Sequence, residues 1–197
     1  MKTFGPEDLL DCYQRGVFPM SDGRDDPRVF LLEPNERGII PLDGLHISRS
    51  MRKILRLGDF KVSFNTAFRK VIALCAEAVP DRETTWISHD IEYLYTRLHE
   101  MGHAHSVEIW RAGKMIGALY GVAIGGAFFG ESMVSRAANG SKIALIKLVE
   151  HLKNRGYVLL DTQFLTDHLI TMGAIEIPRE AYMKRLQAAL DIKAKFN

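Results

Sequence analysis

Residues 117–141 read GALYGVAIGGAFFGESMVSRAANGS, and no other stretch limits the folding of this chain so sharply. Two apolar runs, 115–124 and 127–129, flank Gly125-Gly126. Glycine accepts positive φ without steric cost, so the pair reads as a hairpin turn between two strands of a sheet. Glu131 follows in the second strand. A carboxylate in the middle of a sheet needs a positive partner, a hydrogen-bond network or a cavity, because burying it alone is prohibitive. The chemistry of the chain is expected here.

The surrounding pattern supplies the sheet around that hairpin. Residues 105–110, 115–124 and 127–135 predict an antiparallel meander with turns at 111–114 and 125–126. A strand at 60–64 precedes it, followed by a helix through Phe68, Ile72 and Cys75 towards Ala78, with Asn65 as its cap and Pro80 as its stop. Ser88 caps a second helix that Gly102 closes. After the meander, Ser141 is expected to cap a helix over 142–155, and Gly156 ends it. A buried strand from Tyr157 runs into Asp161-Thr162-Gln163, where alternation puts Asp161 and Gln163 on one side. A short helix near 166–172, a strand near 174–177 and a helix from Pro178 towards Phe196 complete the chain.

Upstream, Pro6 opens a helix over 6–15, but residues 16–44 carry four prolines and four glycines and have little periodicity. Residues 1–58 are therefore expected as a small loop-rich lobe, and 59–197 as the main domain. With 47% hydrophobic and 25% charged residues the composition is globular, and a formal net charge of only +2 means that any nucleic-acid affinity comes from local clustering. One cluster stands out: Arg49, Arg52, Lys53 and Arg56 share a helix face after the capping Ser48. It reads either as a solvated surface or as a tracker of phosphates. Trp86, in a loop, reads as a core plug or a stacking platform.

Metal chemistry is not expected. His99, Glu100 and His103 match H-E-x-x-H, but Gly102 ends the helix between the histidines, so the pair does not share a helical face. Cys12 and Cys75 have no ligand spacing and suit a reduced cytoplasmic chain, and the N-terminus has neither a signal-peptide core nor a membrane span.

The order of elements resembles the GNAT acyltransferase arrangement, an α+β fold with a mixed, largely antiparallel sheet and flanking helices. There the acyl donor lies where the fourth and fifth strands splay apart. The residues are more specific. YQRGVFP (13–19), GHAHSVEIW (102–110), YGV (120–122), FFGESM (128–133), SKIAL (141–145), DTQFLTDHL (161–169) and MGAIEIPR (172–179) are similar to the leucyl/phenylalanyl-tRNA–protein transferases, over essentially the whole chain.

That resemblance implies an enzyme that moves leucine, phenylalanine or possibly methionine from its tRNA to the N-terminal Arg or Lys of a protein, marking it for degradation. It implies Asp161 and Gln163 as the catalytic pair: Gln163 would hold the attacking amine through its carbonyl oxygen while Asp161 orients the amide. A glutamine amide is too weak a base to take the proton outright. Glu131 would meet the acceptor's Arg or Lys side chain. Leu119, Phe128, Leu145 and Leu160 would form the pocket for the transferred side chain. Because Phe128 and Glu131 fall on opposite faces of a regular strand, either Gly130 makes a bulge or the two line different parts of the cleft. Trp86, Tyr95 and Met20 would lie at the tRNA 3′ end, with Met20 standing where many relatives have tryptophan, and Arg49, Lys53 and Arg56 would meet the acceptor stem. No cofactor or metal is implied, and a monomer suffices. Two rivals remain open at the level of sequence. One is an acyl-CoA N-acetyltransferase using the 136–141 loop for pyrophosphate, and the other is a non-catalytic RNA-binding module.

Overall fold

The computed structural model describes residues 4–79 and 83–197, so the expected stop at Pro80 lies outside the described residues. The N-terminal part contributes helix α1 (Pro6–Gln14), a two-stranded ribbon of β1 (Phe18–Met20) and β2 (Phe30–Leu32), strand β3 (Glu36–Ile39) and helix α2 (Arg49–Leu57). Then come β4 (Lys61–Phe64), α3 (Phe68–Ala76) and α4 (His89–Glu100). The meander follows as β5 (Ala104–Arg111), β6 (Lys114–Ile124) and β7 (Ala127–Ser135). The chain ends with α5 (Gly140–Asn154), β8 (Leu159–Gln163), α6 (Asp167–Thr171), β9 (Ile175–Pro178) and α7 (Arg179–Leu190).

Seven strands form one sheet in the order β4-β5-β6-β7-β8-β3-β9. Every neighbouring pair is antiparallel except β7 and β8. This is the α+β, GNAT-like arrangement with a mixed, largely antiparallel sheet. β3, from the segment expected as the N-terminal lobe, sits inside the sheet between β8 and β9. Apolar residues of α1, α3, α4 and α7 cover one face, packing on Tyr120, Phe129 and Leu159. Those of α2, α5 and α6 cover the other, over Leu119, Phe128 and Leu160. Both faces being covered explains why β6 reads as a nearly continuous apolar run rather than an alternating one.

Two glycine positions fix how closely the layers approach. Gly125 takes φ +58 in the hairpin, and a Cβ there would meet the Ala189 and Leu190 carbonyl oxygens at 2.7 Å. Gly117 lies against the start of α5, where a Cβ would come within 2.1 Å of the Gly140 carbonyl carbon. Any side chain at Gly117 pushes α5 off the sheet.

Several local expectations need correction. Asn65 does not cap α3. The N-cap is Ala67, and Asn65 takes φ +60 while its side-chain oxygen accepts the Ser106 N–H. The start of α3 is served instead by the buried carboxylate of Glu108, which accepts from the Ala67 N–H and the Thr66 hydroxyl. A negative charge at a helix N-terminus is favourable, so the substitution of one cap for another is physically equivalent. Ser141 does not cap α5 either: Asn139, at φ +67, is the N-cap, and Ser141 lies in the first turn with its N–H on the Ser135 hydroxyl. The last helix stops at Leu190, after which the Phe196 ring stacks against His105 and Phe128. His99 lies on α4 with its ring stacked on Phe68, and His103 follows beyond the helix end.

Candidate active site

The parallel pairing of β7 with β8 covers only residues 127–129 against 159–161. Past that point Gln163 lies opposite Gly38 of β3, so β7 and β8 diverge. A second irregularity sharpens the divergence. Tyr120 faces Ser132 while the next residue of β6, Gly121, faces Gly130, which leaves Glu131 as the extra residue of a β-bulge. A bulge re-aims a side chain, but Phe128 and Glu131 still lie on opposite faces of the strand, Phe128 under α5 and Glu131 against Tyr13 and Tyr95. A cavity of about 420 Å³ occupies the gap between the strands.

Leu119, Leu145 and Leu160 line this cavity, joined by Met133, Leu148 and Leu169. Met20 and Trp86 stand at its other side, and Glu131 and Gln163 supply the carboxylate and amide. Phe128 is not in the wall: it is fully enclosed on the α5 face, next to Phe196. Tyr95 is also enclosed rather than lining the cavity. Arg49, Lys53 and Arg56 lie exposed along α2, and none enters an ion pair among the described residues.

Glu131 is held by three side chains. Its Oε1 accepts from the Tyr13 hydroxyl at 2.6 Å and its Oε2 from the Tyr95 hydroxyl at 2.8 Å. The Gln163 Nε2 donates to both oxygens, at 2.9 and 3.0 Å. The Tyr13 and Tyr95 hydroxyl oxygens also lie in contact with each other, each giving its one proton to the carboxylate. Burial lifts the Glu131 carboxyl to about 7 against the pull of these donors, since removing a carboxylate from water outweighs the hydrogen bonds that stabilise it. Burial, and then the Glu131 charge, raise both tyrosines well above their ordinary value, so they stay donors.

Asp161 occupies a separate and closed environment. The Arg37 guanidinium meets it through Nε, at 3.0 and 3.1 Å, and through Nη2, at 2.7 Å, and the Tyr182 hydroxyl donates to it at 2.6 Å. Arg37 is itself 1% exposed, lies against the rings of Phe18 and Tyr182, and donates to the Gly16 carbonyl at 2.8 Å. Burial works against the Arg37 charge, but the Asp161 carboxylate outweighs it and holds the guanidinium above its ordinary value. The expected hold of Asp161 on the glutamine amide is replaced by a different one. Its Oδ1 accepts the Gln163 backbone N–H at 2.7 Å, at a residue whose φ is +63. Such a conformation costs a non-glycine residue of the order of 1 kcal/mol or more and persists only when its surroundings fix it. Asp161 therefore sets the backbone of Gln163, and Glu131 sets its amide.

Tyr13, Arg37 and Tyr182 are the residues that sequence reasoning missed. Arg37 sits in a polar, aperiodic stretch, and the tyrosines look like ordinary core positions of amphipathic helices. The only available signal was that YQRGVFP opens the family motifs.

The loop before α5, the candidate pyrophosphate loop of the acyl-CoA reading, turns most of its amide donors inward. The amides of Arg136 and Ala137 donate to the Ile116 carbonyl, that of Gly140 to Ala137, and that of Ser141 to the Ser135 hydroxyl. Arg136 pairs with Glu77. Four of the amides that could face an anion at this helix start are thus already engaged within the protein.

A family model described as leucyl/phenylalanyl-tRNA protein transferase matches residues 39–187. Among curated proteins, a leucyl/phenylalanyl-tRNA–protein transferase of Maricaulis maris is 53% identical over 197 residues, covering all of this chain and 91% of that protein. The one from Hyphomonas neptunium is 54% identical over 194 residues, covering 98% of this chain and 75% of that protein. Among solved structures, FemX shares the fold with a TM-score of 0.55 at 11% identity, over 86% of this chain and 66% of that one. At that identity the likeness is one of fold alone. The sequence matches extend over nearly the whole chain at half identity, and on them this chain belongs to the leucyl/phenylalanyl-tRNA protein transferase family.

Proposed function

We propose that the cavity between β7 and β8 is where the ester of an aminoacyl-tRNA meets the α-amine of an acceptor protein that begins with Arg or Lys. The enzyme transfers leucine or phenylalanine from tRNA to protein and forms a peptide bond. The observation that carries the site assignment is the held amide of Gln163. Glu131 takes its Nε2, and its carbonyl oxygen accepts no hydrogen bond from the described residues. An amine that donates to this oxygen is fixed at the edge of an apolar pocket of the size that small ligands occupy, roughly 300–1,000 Å³. The substrate ester is already activated, so positioning supplies most of the rate.

In this reading Leu119, Leu145 and Leu160 receive the side chain of the transferred amino acid, and Met20 and Trp86 flank the terminal adenosine. Phe128 and Tyr95 act from behind, as the packing beneath the pocket and as a support for Glu131. Glu131 gives the acceptor side its negative charge. Asp161 does not touch substrate; it fixes the Gln163 backbone. Arg49, Lys53 and Arg56 track phosphates of the acceptor stem, a form of binding that tolerates different tRNA bodies and weakens with salt. The product is a protein with a new N-terminal residue, made in the cytoplasm as a mark for degradation, and the enzyme works as a monomer.

The test is to incubate the purified protein with charged Leu-tRNA and a peptide beginning with Arg. Transfer that ribonuclease abolishes is expected. Acetylation of the peptide from acetyl-CoA, without transfer from Leu-tRNA, would overturn the assignment.

A further inference from the structure

We propose that Phe164 is a specificity-determining residue of the acceptor side: the guanidinium or ammonium of the acceptor's N-terminal Arg or Lys rests on the face of its ring in a cation–π contact. The inference rests on the reading of the cavity as the transferase site and deepens it, by giving the acceptor's side chain a direct partner.

Such a partner is needed because the only carboxylate among the described residues of the cavity wall is already engaged. Glu131 accepts from Tyr13, Tyr95 and Gln163 and is 8% exposed, so an incoming cation senses its charge but finds little room on its oxygens. Asp161 is fully enclosed and paired with Arg37. A cation is also met by the face of an aromatic ring, whose quadrupole attracts it within about 6 Å of the centroid. Of the Phe, Tyr and Trp rings in the described wall, Tyr120 is enclosed and Trp86 is half-buried against the core, on the side given to the adenosine. Phe164 alone is exposed, at 43%.

The place of Phe164 is fixed from the backbone. Its N–H donates to the Thr162 carbonyl at 2.7 Å across Gln163, whose φ is +63, and this three-residue γ-turn with positive φ is a rare form. Strand β3 presses on the turn: a Cβ on Gly38 would come within 2.9 Å of the Phe164 carbonyl carbon. Phe164 is thereby held as the immediate neighbour of the amide at which the amine is placed, its Cα about 3.8 Å from that of Gln163, a separation that the long stem of Arg or Lys spans. The Phe18 ring stands at 80° to that of Phe164 with centroids 5.5 Å apart, and a contact of this kind engages at most one face of Phe164. Phe18 itself carries the Arg37 guanidinium at 4.5 Å, so the chain already seats a guanidinium on a ring in this corner of the fold. The Asp161 carboxylate neutralises Arg37, which therefore adds no net repulsion, and the Glu131 carboxylate gives the surroundings the sign that favours a cation.

The experiment is steady-state transfer from saturating Leu-tRNA to peptides beginning with Arg and with Lys. It compares the wild type, Phe164→Leu, Phe164→Tyr and protein carrying successively fluorinated phenylalanines at position 164, with Leu-tRNA affinity measured separately by filter binding. Fluorination drains the negative face of the ring while changing its shape little. Phe164→Leu should raise KM for both peptides about fivefold, the size of a partly exposed cation–π contact, with the loss in KM rather than in kcat and tRNA affinity within about twofold. Phe164→Tyr should keep the wild-type KM, and KM should climb stepwise with each added fluorine. An unchanged peptide KM in Phe164→Leu overturns the proposal, as does a rise there that fluorination does not reproduce, which would make the ring apolar packing only. A loss of Leu-tRNA affinity with peptide KM unchanged would give the ring to the terminal adenosine and also overturns it. Absence of wild-type transfer to both peptides would overturn the reading of the cavity and the proposal with it, whereas the other outcomes leave that reading standing.

Discussion

The Gln163 amide nitrogen donates to both carboxylate oxygens of Glu131, at 2.9 and 3.0 Å, although the two residues lie 32 positions apart on strands that have already separated. An acceptor-only carboxylate forces the amide orientation, and the carbonyl oxygen then has one direction left to serve. Replacing Gln163 by Ala should lower the transfer rate about a hundredfold, the order of loss that follows when a reacting group loses its fixed position. Affinity for Leu-tRNA should stay within about twofold, since the phosphate contacts that dominate such binding are elsewhere. Filter binding alongside single-turnover transfer separates the two quantities. A parallel loss of both would contradict the role given to the amide.

The ion pair of Arg37 with Asp161 belongs to the fold more than to the reaction. Both side chains are essentially enclosed, at 2% and 0% exposure. Removing one member leaves the other as a buried charge without a counter-ion, which costs about 3–5 kcal/mol. Asp161→Ala should therefore lower unfolding stability in urea by that amount. The double variant Asp161→Leu with Arg37→Met should recover most of it while remaining inactive, because Gln163 has lost the acceptor for its backbone N–H. Equal stability losses in the single and double variants would show that the pair is not coupled.

The sheet was readable because its strands obey local rules. The boundaries at 114–124 and 127–135 follow from glycine turns and from apolar runs that both faces of the sheet bury. Ser48 and Ser88 cap their helices as their positions suggest. What escaped was set by distance along the chain. Nothing near Arg37 announces Asp161, 124 residues away, and nothing in α1 or α4 distinguishes Tyr13 and Tyr95 from packing residues. Phe128 illustrates the limit of family motifs: its neighbours line the cavity, yet its own ring points to the opposite side of the strand from Glu131. Ser141 and Asn139 show a smaller limit, since either residue type caps helices and only the left-handed φ of Asn139 decides between them.

Keeping Glu131 at the cavity has a thermodynamic consequence with a definite sign. Its carboxyl titrates near 7 in the folded chain and near 4.3 in an unfolded one, so between these values the folded state binds more protons. Stability then falls as pH rises through that window. Glu131→Gln removes the dependence. Compared with the wild type, the variant should gain stability between pH 5 and pH 8, by on the order of 3 kcal/mol if the whole shift is expressed. Thermal unfolding at the two pH values reads this directly. A difference between variant and wild type that stays constant with pH would mean that Glu131 ionises normally.

The exposed cations of α2 provide the last prediction, because they separate a surface that happens to be basic from one that binds a polyanion. Arg49, Lys53 and Arg56 project from a helix that Ser48 caps and Gly58 closes, so their replacement leaves its stability largely intact. If each neutralises one phosphate, the triple alanine variant should bind Leu-tRNA more weakly. Its slope of log affinity against log salt should also be shallower by about 2–3, at roughly 0.7–0.9 per lost contact. Transfer at saturating Leu-tRNA should be unchanged, since none of the three lines the cavity. Titrations at several salt concentrations decide the matter. An unaltered salt slope would return the α2 face to the status of an ordinary solvated surface and move the tRNA elsewhere on the molecule.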